Sequence, residues 1–170
     1  MNYLEDKIQK LYTTRLHIER PDQLNIDYIA SQLGIEVCYW EEASQALILH
    51  NTAYIFLKKS MNVWEDFCHE LAHVLYHAGD QMLLHKLFVD YQEMRANSFA
   101  LHAAVPSYLL LQMDLPSNYF AAVRVIQDTF NVSLHFACTR LNHFINNHIH
   151  TLTSDRKTLK NAHIDMHKIC

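Results

Sequence analysis

The sequence predicts an α+β fold, mainly helical, with a small three-stranded antiparallel sheet placed ahead of one central helix. Three observations carry this reading. Only two Gly and three Pro occur in 170 residues, so tight turns are few and helices are favoured over a many-stranded sandwich. Apolar residues recur at helical spacing along most of the chain. Between residues 35 and 58 that period gives way to alternation in β-forming residues. Half of the residues are hydrophobic and 19% are charged, enough apolar material for a core and too much for a disordered chain.

The elements follow in order. Leu4, Ile8, Leu11, Tyr12, Leu16 and Ile18 place a helix over 2–20, stopped by Pro21. Residues 22–33 form a short helix that ends at Gly34, a residue suited to a left-handed cap. Ile35–Trp40 reads as a strand. Ala46–His50 and Ala53–Lys58 read as two more, joined at His50-Asn51-Thr52. Helix 62–78 stops at Gly79-Asp80, and helix 83–104 runs to Val105-Pro106. After a short turn at 107–113 come helices 117–130 and 133–147, broken at Asn131-Val132-Ser133. A single domain over 1–147 is expected: N-terminal helices (1–34), sheet (35–59), a helix pair (60–105) and C-terminal helices (106–147). Residues 148–170 form a polar tail of weak periodicity.

A net charge of −4 argues against broad binding to nucleic acid or anionic membrane. The start, MNYLEDKIQKLY, has no apolar run of signal-peptide length, and no segment has 18 uncharged apolar residues. Cys38, Cys68, Cys138 and Cys170 form no CxxC pair and read as reduced thiols. A cytoplasmic protein that engages no membrane is expected.

The chemistry centres on His69-Glu70-Leu71-Ala72-His73, an HExxH motif inside a predicted helix. Residues four apart share a helix face, so both imidazoles can reach one metal ion. Glu70 is rotated by about 100° from His69, beside the ion rather than on it. There it can take a proton from an attacking water and hand it to a leaving amine. The chain holds thirteen His, so composition alone would produce this motif about one time in twenty. Three further features therefore matter. Val63, Phe67, Leu71, Val74, Leu75 and Ala78 make an apolar stripe roughly opposite His69 and His73. Glu93 lies twenty residues after His73, a span that lets the next helix fold back and bring a third ligand level with the histidines. Asn97, one turn on, can accept the second ring N–H of a metal-bound His. Ala100 and Ala104 keep that face small, which lets the two helices approach closely.

The stretch Trp64-Glu-Asp-Phe-Cys-His-Glu-Leu-Ala-His-Val-Leu-Tyr-His-Ala-Gly, then Glu93-Met-Arg-Ala-Asn97-Ser-Phe-Ala100 and Val105-Pro106, resembles the ImmA/IrrE metallopeptidases. Leu24–Val37 is similar to that family's N-terminal helix-to-strand segment. Phe130-Asn-Val-Ser133 with Ala137-Cys-Thr-Arg140-Leu141 is similar to its C-terminal F-x-V-S…A-x-x-R-L segment. The resemblance spans about residues 20–145. HExxH alone is generic to zincins, but its combination with E-x-x-A-N is specific. The resemblance implies a zincin-like fold and a zinc-dependent protease of the ImmA branch, acting in the cytoplasm of a bacterial host. Such proteins, encoded by phages and mobile genetic elements, cleave a helix-turn-helix repressor and relieve repression. Carried over, the ligands of one catalytic Zn²⁺ are His69, His73 and Glu93, and Glu70 is the general base. Cys68 stands where a small residue such as Gly is expected.

Other candidates are open. His77 can help bind substrate or stabilise an oxyanion, and Tyr54, Tyr76 and Tyr108 are possible oxyanion donors. Ala53–Leu57 is a candidate edge strand for an extended substrate, or a plain core strand. Residues 118–145 resemble a helix-turn-helix, yet Arg124 and Arg140 are their only firm cations, too few for phosphate contacts. Two readings compete with the protease: a non-catalytic antirepressor, and a DNA-binding regulator using the C-terminal helices. The His-rich tail, with His143, His148, His150, His163 and His167, is given no function.

Overall fold

The computed structural model describes residues 3–76 and 85–152, with side chains to residue 147. Helix α1 (Tyr3–Lys10) opens the chain and widens into a π-helical turn at Leu11–Arg15. His17 then takes a left-handed backbone (φ 51°) and turns the chain away, so the helix ends before residue 20. The wide turn lets Tyr12, Leu16 and Ile18 all enter the core. The Tyr12 hydroxyl donates to the Ala103 carbonyl at 3.1 Å and ties this segment to the far helix.

After a 3₁₀ turn at Pro21–Gln23, α2 (Ile26–Leu33) starts four residues later than its pattern predicts. The cause is Asn25, whose side chain accepts from the Tyr28 N–H at 2.9 Å and caps the helix there. Gly34 ends it at φ 69°, in the left-handed region that the cap requires.

The sheet comprises β1 (Ile35–Trp40), β2 (Gln45–Leu49) and β3 (Thr52–Lys58), in the order β1-β3-β2. His50 and Asn51 both have positive φ, 48° and 67°, as a two-residue hairpin turn demands. β2 and β3 pair antiparallel, but β1 pairs parallel to β3, from Ile35↔Ala53 to Trp40↔Lys58. The sheet is therefore mixed, not antiparallel throughout. Alternation along a strand carries no direction; only the hairpin turn fixes one. Loop 41–44 carries the chain past the site that β3 later fills. That crossing is held by Ser44 Oγ, which accepts from the Lys58 N–H at 3.0 Å and bonds Asp66 Oδ2 at 3.3 Å.

Helices α3 (Val63–Tyr76) and α4 (Lys86–Ala104) pack side by side and antiparallel. Trp64 Nε1 donates to the Ala104 carbonyl, His69 meets Asn97, and His73 meets Glu93. Ala96, Ala100, Ala103 and Ala104 are buried at or near this seam, so the backbones approach closely. α3 also packs on β2 and β3. Enclosed on both sides, it buries Trp64, Phe67, Cys68, Leu71, Ala72 and even Glu70, while Val63, Val74 and Leu75 are only half-buried. The simple two-faced stripe is thus replaced by a helix buried nearly all round.

Pro106 starts α5 (Ser107–Leu110), a buried single turn of helix where a turn was expected. Asn118 caps α6 (Tyr119–Phe130) and Asn131, at φ 51°, ends it. Ser133 caps α7 (Leu134–Leu152) through the Phe136 N–H, and the Ser133 N–H donates to Glu65 on α3. α7 continues past 147 into the expected tail. Among the described residues no helix is long and apolar enough to cross a membrane.

Arg140 changes the reading of the C-terminal helices. It is fully buried, and donates to the Val105 carbonyl at 2.8 Å and to Ser107 Oγ at 2.6 Å. Ser107 in turn donates to Glu5 at 2.8 Å. One of the two cations available for phosphate contacts is therefore inside the protein, welding α1, α5 and α7 together.

Candidate metal centre

Four residues on the α3–α4 seam converge. His69 and His73 lie one helical turn apart on α3; Glu93 and Asn97 lie one turn apart on α4. The antiparallel packing sets each pair opposite the other. His69 Nε2 is 3.1 Å from His73 Nε2 and 3.2 Å from Glu93 Oε2, and His73 Nε2 is 3.5 Å from Glu93 Oε1. One ligand atom from each of the three residues lies within 4.8 Å of the others.

These separations test whether a metal fits. Zinc held tetrahedrally with bonds of about 2.0–2.1 Å places neighbouring donors about 3.3–3.4 Å apart. The His69–His73 separation and the approach of one Glu93 oxygen to each imidazole fall near that length, so the three side chains are close enough to share one ion. The donor set, two imidazoles and one carboxylate, leaves a fourth position open. His69 Nδ1 is 3.0 Å from Asn97 Oδ1, so the imidazole donates there and turns the lone pair of Nε2 toward the cluster. Side-chain exposure of 13% for His73, 23% for His69 and 40% for Glu93 shows that the cluster opens to solvent on the α4 side.

Glu70 sits beside this group, buried on α3. Desolvation raises its carboxyl to about 7, with the Glu93 and Asp66 charges adding to the effect. A backbone hydrogen bond from Ala46 on β2 pulls the other way. A dication held by the neighbouring side chains would oppose both the burial and the charge effects. The Ala46 contact has no signature in the motif. It depends on β2 lying against α3.

The remaining candidates lie elsewhere. Tyr108 is buried and its hydroxyl donates to the Ile18 carbonyl at 2.8 Å. Tyr76 packs edge-on against Phe99 and lines a cavity bordered by residues of α1, α3 and α4. Tyr54 stacks on Phe56, on the opposite face of β3 from buried Ile55 and Leu57. His85 accepts from the Leu87 N–H at 3.3 Å and caps α4. His77 lies outside the described residues, as do Cys170, His163 and His167 of the tail. Cys68 is fully buried, and burial, with Glu65 adding, pushes its thiol well up, so it packs as a neutral thiol. Residues 53–57 belong to the central strand, paired on both sides, so they are no free edge for a substrate.

Residues 30–142 match the family model Peptidase_M78, described as the IrrE N-terminal-like domain. The chain belongs to this family. The chain is similar to the phage-like element PBSX protein XkdA of Bacillus subtilis (strain 168), 38% identical over 148 residues, covering 85% of this chain and 74% of that protein. The uncharacterized protein YqaB of the same strain is 32% identical over 143 residues, covering 82% of this chain and 83% of its own length. No solved structure gives a significant match. The Peptidase_M78 assignment spans the sheet, both seam helices and α6, so the convergent residues all fall inside it. It makes the chain a member of a metallopeptidase family, which agrees with the ImmA/IrrE resemblance.

Proposed function

We propose that this chain is a zinc-dependent, site-specific endopeptidase that cleaves a helix-turn-helix repressor of a phage or mobile element and so relieves repression. The observation that carries the reading is the convergence of His69, His73 and Glu93, one ligand atom of each within 4.8 Å of the others, with Glu70 alongside on the same helix. The likeness to a protein of a phage-like element supports the biological setting. When bound, zinc supplies Lewis acidity that polarises a peptide carbonyl and makes water nucleophilic at neutral pH. His69, His73 and Glu93 hold the ion, and Asn97 fixes the His69 tautomer. Glu70 accepts the proton of the attacking water and returns it to the leaving nitrogen. The outer edge of β2, beside Glu70, binds the substrate backbone as an added strand. Its Leu47, Ile48 and Leu49 are exposed and uncharged, unlike the guarded edges of most sheets.

The experiment combines the protein with the helix-turn-helix repressor encoded by the neighbouring gene, with and without a chelator. A discrete product, absent with chelator and absent with Glu70→Gln, is expected. A stable complex without product would replace the protease with a binding-only antirepressor. Zinc occupancy separates the roles: Glu93→Ala should bind zinc at least about tenfold more weakly than Glu70→Ala. Equal occupancy in the two would remove Glu93 from the ligand set.

A further inference from the structure

A cavity of about 350 Å³ is lined by residues of α1, α3 and α4, and none of the candidate metal ligands is among them. Its size falls in the range of small-molecule sites. Leu4, Ala72 and Phe99 provide an apolar floor, and Tyr3, Tyr76 and Tyr91 the aromatic walls. Two cations stand at the rim. The Lys7 ammonium lies 4.6 Å from the Tyr3 ring centre and 5.2 Å from that of Tyr76. The Arg95 guanidinium lies 5.7 Å from the Tyr91 ring and donates to its hydroxyl at 2.9 Å.

The charge pattern is selective. In a chain of net charge −4, the described lining holds two cations and no carboxylate. Among the described residues neither Lys7 nor Arg95 forms an ion pair with an acidic side chain. The aromatic rings hold both cations at the rim; Lys7 is hydrogen-bonded to Tyr3 and Arg95 gives one N–H to Tyr91, and with no acidic partner the other N–H groups remain for an incoming anion. An apolar floor under a cationic rim fits a molecule with an apolar body and an anionic head.

We propose that this cavity binds a small organic anion: an aromatic or aliphatic body carrying a carboxylate, phosphate or sulfonate. The body rests on Ala72 and Phe99, and the head is shared by Lys7 and Arg95. The occupant then touches the same helix that carries His69 and His73, since Ala72 directly precedes His73. This assignment does not depend on the protease reading, because it uses none of the metal ligands.

The probe is anilinonaphthalene sulfonate, titrated by fluorescence into the full-length protein. Phenylnaphthylamine, the same aromatic body without the sulfonate, serves as the neutral counterpart. Saturable one-site binding of the sulfonate is expected, at least about tenfold tighter than the neutral probe. The double variant Lys7→Gln/Arg95→Gln should lose about that factor for the sulfonate and leave the neutral probe unchanged. Ser98 is an exposed lining residue, so Ser98→Phe can fill the cavity without touching the core and should abolish binding of both probes. Circular dichroism and melting temperature check that both variants are folded. Absence of saturable binding overturns the proposal. So does equal affinity for the two probes, or sulfonate affinity unchanged in either variant.

Discussion

Asn97 holds no metal, yet its loss should weaken metal binding measurably. The imidazole of His69 ligates through Nε2 only if its proton sits on Nδ1. A 3.0 Å contact to Asn97 Oδ1, an oxygen that can only accept, favours the proton on Nδ1. Asn97→Leu keeps the side-chain volume and removes the acceptor. The tautomer with its proton on Nε2, which cannot ligate, then competes. Partners of this kind affect metal affinity by about 10–100-fold. Asn97 is exposed, so water can take over part of the role, and the lower end of that range applies: about tenfold, or about 1.4 kcal/mol. The assay is competition for zinc against a chromophoric chelator, with ¹⁵N imidazole shifts reporting the tautomer in the metal-free protein. Asn97→Asp supplies an acceptor again and should restore wild-type affinity or exceed it. Wild-type affinity in Asn97→Leu, with the His69 tautomer unchanged, would refute the reasoning.

Two other perturbations address the buried network of Glu5, His102, Ser107 and Arg140. Arg140→Met should destabilise the protein by about 3–5 kcal/mol in urea unfolding, because it strips the Val105 carbonyl and Ser107 of a buried charged donor and removes the cation whose field reaches buried Glu5. Glu5→Gln in the same background should recover part of that loss, and strictly additive effects would argue against coupling. His102 is held down to about 4, chiefly by burial and then by Arg140, with Glu5 opposing. Its folded value is depressed, so the unfolded chain gains the proton first as pH falls. Stability is full above the ordinary value near 6.5 and is lost on the way down to about 4. With the metal chelated, the wild type should therefore lose about 2 kcal/mol more than His102→Gln between about pH 7.5 and about pH 5. Identical pH slopes for the two proteins would remove His102 from the acid response.

The local signals in the sequence carry most of these elements. Alternating β-formers place β1, Gly34 marks the end of α2, and Pro106 separates α4 from α5. The candidate metal site is legible for a related reason: His69 and His73 are one turn apart, and Glu93 and Asn97 repeat that interval. A pair of helices packed antiparallel then needs only one shared level to bring all four together. The parts that escape are set by distant partners. Arg140 reads as a surface cation until Glu5, far off in sequence, is found beneath it. The start of α2 shifts because Asn25 competes for the Tyr28 N–H. Tyr54, Tyr76 and Tyr108 look equivalent in the sequence, and only packing assigns them to the sheet, the cavity and the Ile18 carbonyl.

The direction of β1 matters most for function, because it decides which strand is exposed. Three strands in chain order would leave β3 at an edge. With β1 parallel to β3, the middle position goes to β3 and an open edge goes to β2. The hairpin turn sets the hydrogen-bonding phase of that edge. In a two-residue hairpin the residues flanking the turn, here Leu49 and Thr52, exchange hydrogen bonds, and alternate pairs do the same. Leu47 and Gln45 therefore point their N–H groups into the sheet, and Ile48 and Ala46 point theirs outward. The Ala46 bond to Glu70 agrees with this phase. Ile48 is left with an outward donor one dipeptide from the residue that bonds Glu70, the proposed general base, and it is 59% exposed. Ile48→Pro deletes that donor without removing a ladder bond, a placement that edge strands tolerate. Melting temperature and zinc affinity should stay near wild type, while kcat/KM for repressor cleavage should fall by about tenfold, the worth of one backbone hydrogen bond. Ile48→Val keeps the donor and should cleave normally. Full cleavage by the stable, zinc-loaded proline variant would move the substrate strand off β2.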